Sequence, residues 1–176
     1  EYHFYAEIIA AHLDCRVVMP DYRLAPEHPY PAAADDCFNA YCGLVRSGTD
    51  PATIVLLGES CGGSLAMGVL LRLRDEGLPL PAAFVSLTGW FDLSVSGPAV
   101  PGRDPFLTPE WVRNRGRDYV AAQFALDDPR VSPAYADLRG LPPLYLQIGQ
   151  FDTVREGAIA LGVNALRAGV AVTMES

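Results

Sequence analysis

The stretch Ile54-Val55-Leu56-Leu57-Gly58-Glu59-Ser60-Cys61-Gly62-Gly63 decides how the rest of the chain is read. An unbroken apolar run leads into a glycine, a serine and two more glycines. The run has the length and composition of a strand buried on both faces of a parallel sheet. Beyond Ser60 the pattern turns helical, continues to Asp75 and stops near Gly77. A G-x-S-x-G sequence between a strand and a helix is the setting of a nucleophile elbow, in which a sharp turn lifts the serine hydroxyl above the sheet. Gly58 and Gly62 are expected to let strand and helix approach where a Cβ would clash. The helix start turns N–H groups and its positive dipole end toward a developing oxyanion, so the Cys61 N–H is the expected oxyanion-hole donor. The Cys61 side chain reads as a small filler.

Outward from this junction, strands and helices alternate. Helical spacing predicts a helix over residues 2–13, with Tyr5, Ile8, Ile9, His12 and Leu13 on one face. Val17, Val18 and Met19 predict a short strand over 16–20. Pro26, Pro29 and Pro31 mark 21–31 as a loop, and 32–45 reads as a second helix. Further strands are expected at 53–57, 82–87, 144–148 and 170–174, with a helix over 154–168. The segment 88–140 is long and irregular but holds one clear helix, announced by Thr108 as N-cap, Pro109 at the first position and Glu110 in the first turn. This alternation predicts an α/β fold: a mostly parallel sheet with helices on both faces and chemistry at the carboxyl ends of its strands.

The 176 residues suffice for one domain with a real core, and at 50% hydrophobic they do not describe a disordered chain. No apolar run approaches the roughly 20 residues of a membrane span. A net charge of -8 argues against a nucleic-acid surface. Cys15, Cys37, Cys42 and Cys61 form no CxxC pair, and no second ligand pair joins His12 and Cys15 to make a zinc site. They read as reduced thiols of a cytoplasmic protein. No metal and no organic cofactor is expected.

A serine nucleophile needs a base and an orienting acid. The strand at 144–148 ends in Gly149-Gln150-Phe151-Asp152, which puts Asp152 after Ser60 in the chain and at a strand's carboxyl end. Position alone leaves Asp152 open between the acid and an N-cap for the following helix. Glu156, already inside that helix, is the weaker alternative. His3, His12 and His28 all precede Ser60. His12 reads as a packing residue, and His28 is the only other conceivable base. A histidine is instead expected from beyond residue 176, so the chain is read as truncated before its base and inactive by itself.

Longer motifs carry a family resemblance. Asp21-Tyr22-Arg23-Leu24-Ala25-Pro26-Glu27 resembles the DYRLAPE signature of hormone-sensitive-lipase-like esterases. Gly58-Glu59-Ser60-Cys61-Gly62-Gly63 is similar to that family's GDSAGG elbow, with Glu for Asp and Cys for Ala. Asp128-Pro129-Arg130-Val131-Ser132-Pro133 is similar to its D-P-x-x-S-P segment, and Asp152-Thr153-Val154-Arg155-Glu156 to its D-P-L-R-D acid motif, with Thr153 in place of the usual Pro. The resemblance implies an α/β-hydrolase fold truncated at both ends. Residues 1–176 would be one partial catalytic domain, with 88–140 as an irregular helical insert near the active site. It also implies a carboxylesterase acting on small-molecule esters through Ser60 and Asp152, with the HGGG oxyanion loop and the catalytic His both outside the chain. Thr153 is expected to be harmless. Arg23 and Glu27 are expected to make charge-assisted contacts. Trp90, Phe91, Phe106, Trp111, Tyr119 and Phe124 could line an acyl pocket or pack the core. The alternatives are a small-molecule receptor, since the plant gibberellin receptor resembles the same family, and a lactonase or peptidase using the same triad.

Overall fold

The computed structural model describes residues 3–97 and 104–176; the start of the expected first helix at Tyr2 and part of the expected insert, 98–103, lie outside the described residues. In chain order the elements are α1 (His3–Leu13), α2 (Ala32–Arg46), a 3-10 turn at Pro51–Thr53, β1 (Val55–Glu59), α3 (Cys61–Asp75) and β2 (Ala83–Leu87). They are followed by α4 (Pro109–Val120), a 3-10 turn at Pro133–Tyr135, β3 (Leu144–Gln147), α5 (Arg155–Arg167) and β4 (Val172–Glu175). The strands form one parallel sheet in the order β1-β2-β3-β4. The parallel sheet with helices expected from the sequence is what the structure shows, but among the described residues the helices that pack on the sheet, α3 and α5, lie on one face rather than on both.

The register decides which side chains share a face. Leu56, Gly58, Phe84, Ser86, Leu144, Leu146, Val172 and Met174 fall on one side, because paired residues point the same way and neighbours alternate. This side is covered by α3 and α5. Met67 and Leu70 of α3 and Ala158, Leu161 and Ala165 of α5 join Phe84, Leu144 and Leu146 in the main core. The outer side of α3 packs on α2, where Phe38 and Tyr41 meet Val69 and Leu73. Arg72 of α3 stacks on the Phe38 ring at 3.8 Å and reaches Asp35 at 2.8 Å. The opposite side of the sheet carries Val55 and Leu57, 52% and 46% exposed, and α1 has no buried residue.

Two expectations are corrected here. The run at 54–57 is not a strand buried on both faces: β1 lies at an edge of the described sheet, and only its Leu56 and Gly58 side is covered by a helix. Residues 16–20 form no strand. A strand is held by a neighbour's N–H and C=O groups, and none of the four strands pairs with this run, whose Val18 and Met19 stand exposed.

The remaining motifs turn out to be structural. Arg23 grips Asp36 of α2 with Nε and a terminal nitrogen, both at 2.8 Å, and its N–H adds a third bond at 3.0 Å. This fastens the proline-set loop to α2 and holds the Asp36 carboxyl down to about 2. Glu27 makes no ion pair among the described residues. Ser132 is fully buried; its Oγ accepts the Leu93 N–H at 2.7 Å and donates to the Leu126 carbonyl at 2.5 Å. Ser132→Ala strands both partners in an apolar layer and is expected to cost roughly 2 kcal/mol, read as a lower urea midpoint at unchanged m-value. An unchanged midpoint would show that the two groups find other partners.

Candidate active site

Ser60 stands between the last residue of β1 and the first of α3 with φ 50° and ψ -120°. A non-glycine residue in this region carries strain that the surroundings must hold. The backbone of Ser60 is clamped from three sides. Its N–H donates to the Leu87 carbonyl at 3.1 Å, and its carbonyl accepts the Gly63 N–H at 3.0 Å and the Trp90 N–H at 2.9 Å. The loop after β2 thus holds the turn. Cys61 opens α3, so its N–H belongs to the group that a helix start leaves without an intrahelical carbonyl.

The glycines divide differently from the expectation. A Cβ at Gly58 would lie 2.3 Å from the Gly62 carbonyl oxygen, so strand and helix do touch there. A Cβ at Gly62 would meet nothing within 4 Å, whereas one at Gly63 would come within 3.1 Å of the Gly89 Cα. The tight positions are Gly58 and Gly63. Gly58→Ala is expected to cost about 1–3 kcal/mol through forced backbone movement, and Gly62→Ala nearly nothing. Equal losses in urea unfolding would contradict this division.

Ser60 and Asp152 line one cleft of about 270 Å³, together with Glu59, Thr88, Asp104, Pro105, Phe106, Leu107, Phe151 and Val154. Asp152 sits in the turn after β3, where its Oδ1 accepts the Val154 N–H at 3.2 Å. It does not cap α5, whose N-cap is Val154 without a side-chain bond. Burial pushes the Asp152 carboxyl above its usual range against the pull of the Val154 N–H, and the charges of Asp104 and Glu59 push it further up. Glu156 does not line the cleft. It pairs with Arg155 at 2.9 Å, and its side chain lies where a Cβ on Gly97 would collide at 2.3 Å. His3, His12 and His28 are exposed and none lines the cleft; His12 Nδ1 is 2.9 Å from the Ile8 carbonyl oxygen on its own helix.

Of the aromatic candidates only Phe106 lines the cleft. Phe91 is fully buried in the main core, and Trp90, Tyr119 and Phe124 pack around Leu93, Val120 and Val131. Trp111 is exposed on α4, whose Thr108 cap accepts the Trp111 N–H at 3.2 Å as expected. Phe151 lines the cleft and was missed, although its place directly before Asp152 was a usable signal. Asp104 was missed too, and no local pattern singles it out. Asp92, a buried carboxylate, is occupied by the N–H and hydroxyl groups of Ser94 and Ser96. Burial pushes its carboxyl up, but these donors outweigh that and hold it below the usual range. Among the described residues no His, Cys, Asp and Glu cluster could hold a metal, and no helix is long and apolar enough to cross a membrane.

Comparisons with known proteins place this geometry in a family. The model of a family described by the alpha/beta hydrolase fold matches residues 1–176. An acetyl-hydrolase of Streptomyces hygroscopicus is 41% identical over 160 residues, which cover 88% of this chain and 52% of the relative. An esterase of Acinetobacter venetianus is 35% identical over 144 residues, 80% of this chain and 48% of the relative. A crystal structure of an esterase from the bacterial hormone-sensitive lipase family superposes with a TM-score of 0.90 at 42% identity, covering 95% of this chain and 57% of that one. A structure of EstE5 soaked with p-nitrophenyl butyrate has a TM-score of 0.82 at 36% identity, covering 88% of this chain and 53% of that one. The chain thus spans about half the length of the relatives it matches. With the whole sequence matched by the family model, and the sheet and the strand–helix turn at Ser60 arranged as described, the chain belongs to the hormone-sensitive-lipase-like family of the alpha/beta hydrolase fold.

Proposed function

We propose that the protein is a serine carboxylesterase that hydrolyses short- to medium-chain acyl esters through an acyl-enzyme on Ser60. The observation that carries this reading is the strained Ser60, lifted at a strand–helix junction into the same cleft as Asp152. Relatives named esterase and acetyl-hydrolase support it. In the first step Ser60 Oγ attacks the ester carbonyl carbon, loses its proton to a base, and the alcohol departs with a proton. Water then attacks the acyl-enzyme, releases the carboxylic acid and returns the proton to Ser60. The Cys61 N–H is one donor to the oxyanion. Asp152 orients the base and steadies its positive charge. None of His3, His12 and His28 lines the cleft, and the family resemblance implies a histidine after Met174 as the base.

The segment 88–140 is an insert of one catalytic domain and supplies the cleft wall from Asp104 to Leu107. Four free cysteines suit a reducing, cytoplasmic setting. The test is covalent labelling of the whole protein with a serine-reactive phosphonate. One adduct is expected, on the peptide that contains Ser60. Esterase activity with an adduct elsewhere would overturn the assignment.

A further inference from the structure

Among the described residues, the cleft wall formed by Pro105, Phe106 and Leu107 belongs to no packed core cluster. The Phe106 side chain is 90% exposed and the segment contributes nothing to the buried core clusters. Polar bonds hold it instead, and they converge on Asp104. Asp104 Oδ1 accepts the N–H groups of Phe106 and Leu107, each at 2.9 Å, which closes the wall into a tight turn. Asp104 Oδ2 accepts the N–H of Thr153 at 3.0 Å. Thr153 Oγ1 donates in return to the Leu107 carbonyl at 3.1 Å. Two bonds therefore cross from the wall to the residue directly after Asp152, and both of them end on Thr153. The donors outweigh burial and hold the Asp104 carboxyl below its usual range, so the acceptor stays charged. Hydrogen bonds to a charged group are the stronger kind.

We propose that Asp104 and Thr153 form a latch that fixes the wall Pro105–Leu107 against the acid turn and so limits the acyl chain the cleft accepts. The latch rests on the reading of the cleft as an ester site. Thr153 is not a neutral replacement for proline in this chain. A proline there would have neither the N–H nor the hydroxyl, and both crossing bonds would be lost. The wall would then have neither of these two ties to the acid turn. It would swing out and lengthen the acyl-binding space, while the clamp on Ser60, made by Leu87, Gly63 and Trp90, would be untouched.

The test uses the whole protein and p-nitrophenyl esters of acetate, butyrate, hexanoate and octanoate. Asp104→Asn is isosteric, but whichever way its amide turns, one acceptor position becomes a donor facing an N–H. Thr153→Pro removes both crossing bonds, and Thr153→Val, which keeps the N–H, serves if the proline variant does not fold. Asp104→Asn and Thr153→Pro are each expected to raise the octanoate-to-butyrate ratio of kcat/KM about fivefold or more, through a lower KM for octanoate. Thr153→Ser, which keeps both donors, should hold the wild-type ratio. Combined, Asp104→Asn and Thr153→Pro should shift the ratio no more than the larger single change, because both break one device. A purely structural role would lower kcat for every ester alike and leave the ratio fixed, which would overturn the latch. Multiplying effects in the double variant would overturn it as well. If Ser60→Ala keeps the wild-type activity, the ester-site reading fails and the latch with it. If Ser60→Ala is inactive and the ratio is unmoved, the latch alone fails.

Discussion

Ser60→Ala in the whole protein is expected to lower kcat/KM toward p-nitrophenyl butyrate by roughly 10⁴-fold or more. The reason lies in what the structure spends on this residue. A serine at φ 50° is held against its own preference by three backbone bonds, and glycine is the residue that would sit there without strain. Alanine tolerates the backbone about as well as serine does, so the fold should survive the change and the melting temperature should move little. What disappears is the hydroxyl on which the proposed acyl-enzyme would form. The measurement needs an active-site titrant to exclude wild-type carry-over. A variant that keeps more than about a tenth of the activity would remove Ser60 from the chemistry.

Asp152→Asn is expected to lower kcat by roughly 10³- to 10⁴-fold with little change in stability. An amide neither holds the base in its working tautomer nor balances its positive charge. The folding cost is small because the side-chain bond of Asp152 seen among the described residues, from the Val154 N–H to Oδ1, can be kept by the amide oxygen. The matched comparison is Glu156→Gln. Glu156 is paired with Arg155 and lies outside the cleft, so its neutralisation should change kcat less than about threefold, as for an exposed ion pair. The reverse ranking would make Glu156 the acid and would require the α5 start to rearrange during turnover.

These expectations draw unequally on sequence and structure. Ser60 was legible because its signal is local: an apolar run, two glycines at fixed spacing and a helical pattern behind them. The Thr108 cap was legible for the same reason. Asp152 was legible only in part, since a carboxylate before a helix is as good a cap as an acid. The structure starts α5 at Arg155 with no bond to the Asp152 side chain, which weakens the cap reading, and the acid role stays part of the proposal. Glu27 was read as making a charge-assisted contact and makes no ion pair among the described residues. The partner Arg23 uses is Asp36, on a helix the loop must first fold against.

The sequence by itself determined the alternation of strands and helices, the parallel sheet they imply, and the serine at the elbow. Each depends on residues within a few positions of one another, where propensity and periodicity act. Only the tertiary structure decided that β1 stands at an edge of the described sheet, that 16–20 pairs with no strand, and that Gly63 rather than Gly62 is the tight glycine. It also decided that Ser60 and Asp152 share a cleft, and that Asp104 reaches Thr153 across 49 residues of chain. Such contacts follow from strand order and register. These are set by which long loops close and which faces bury together, and a short window of sequence holds no record of that choice.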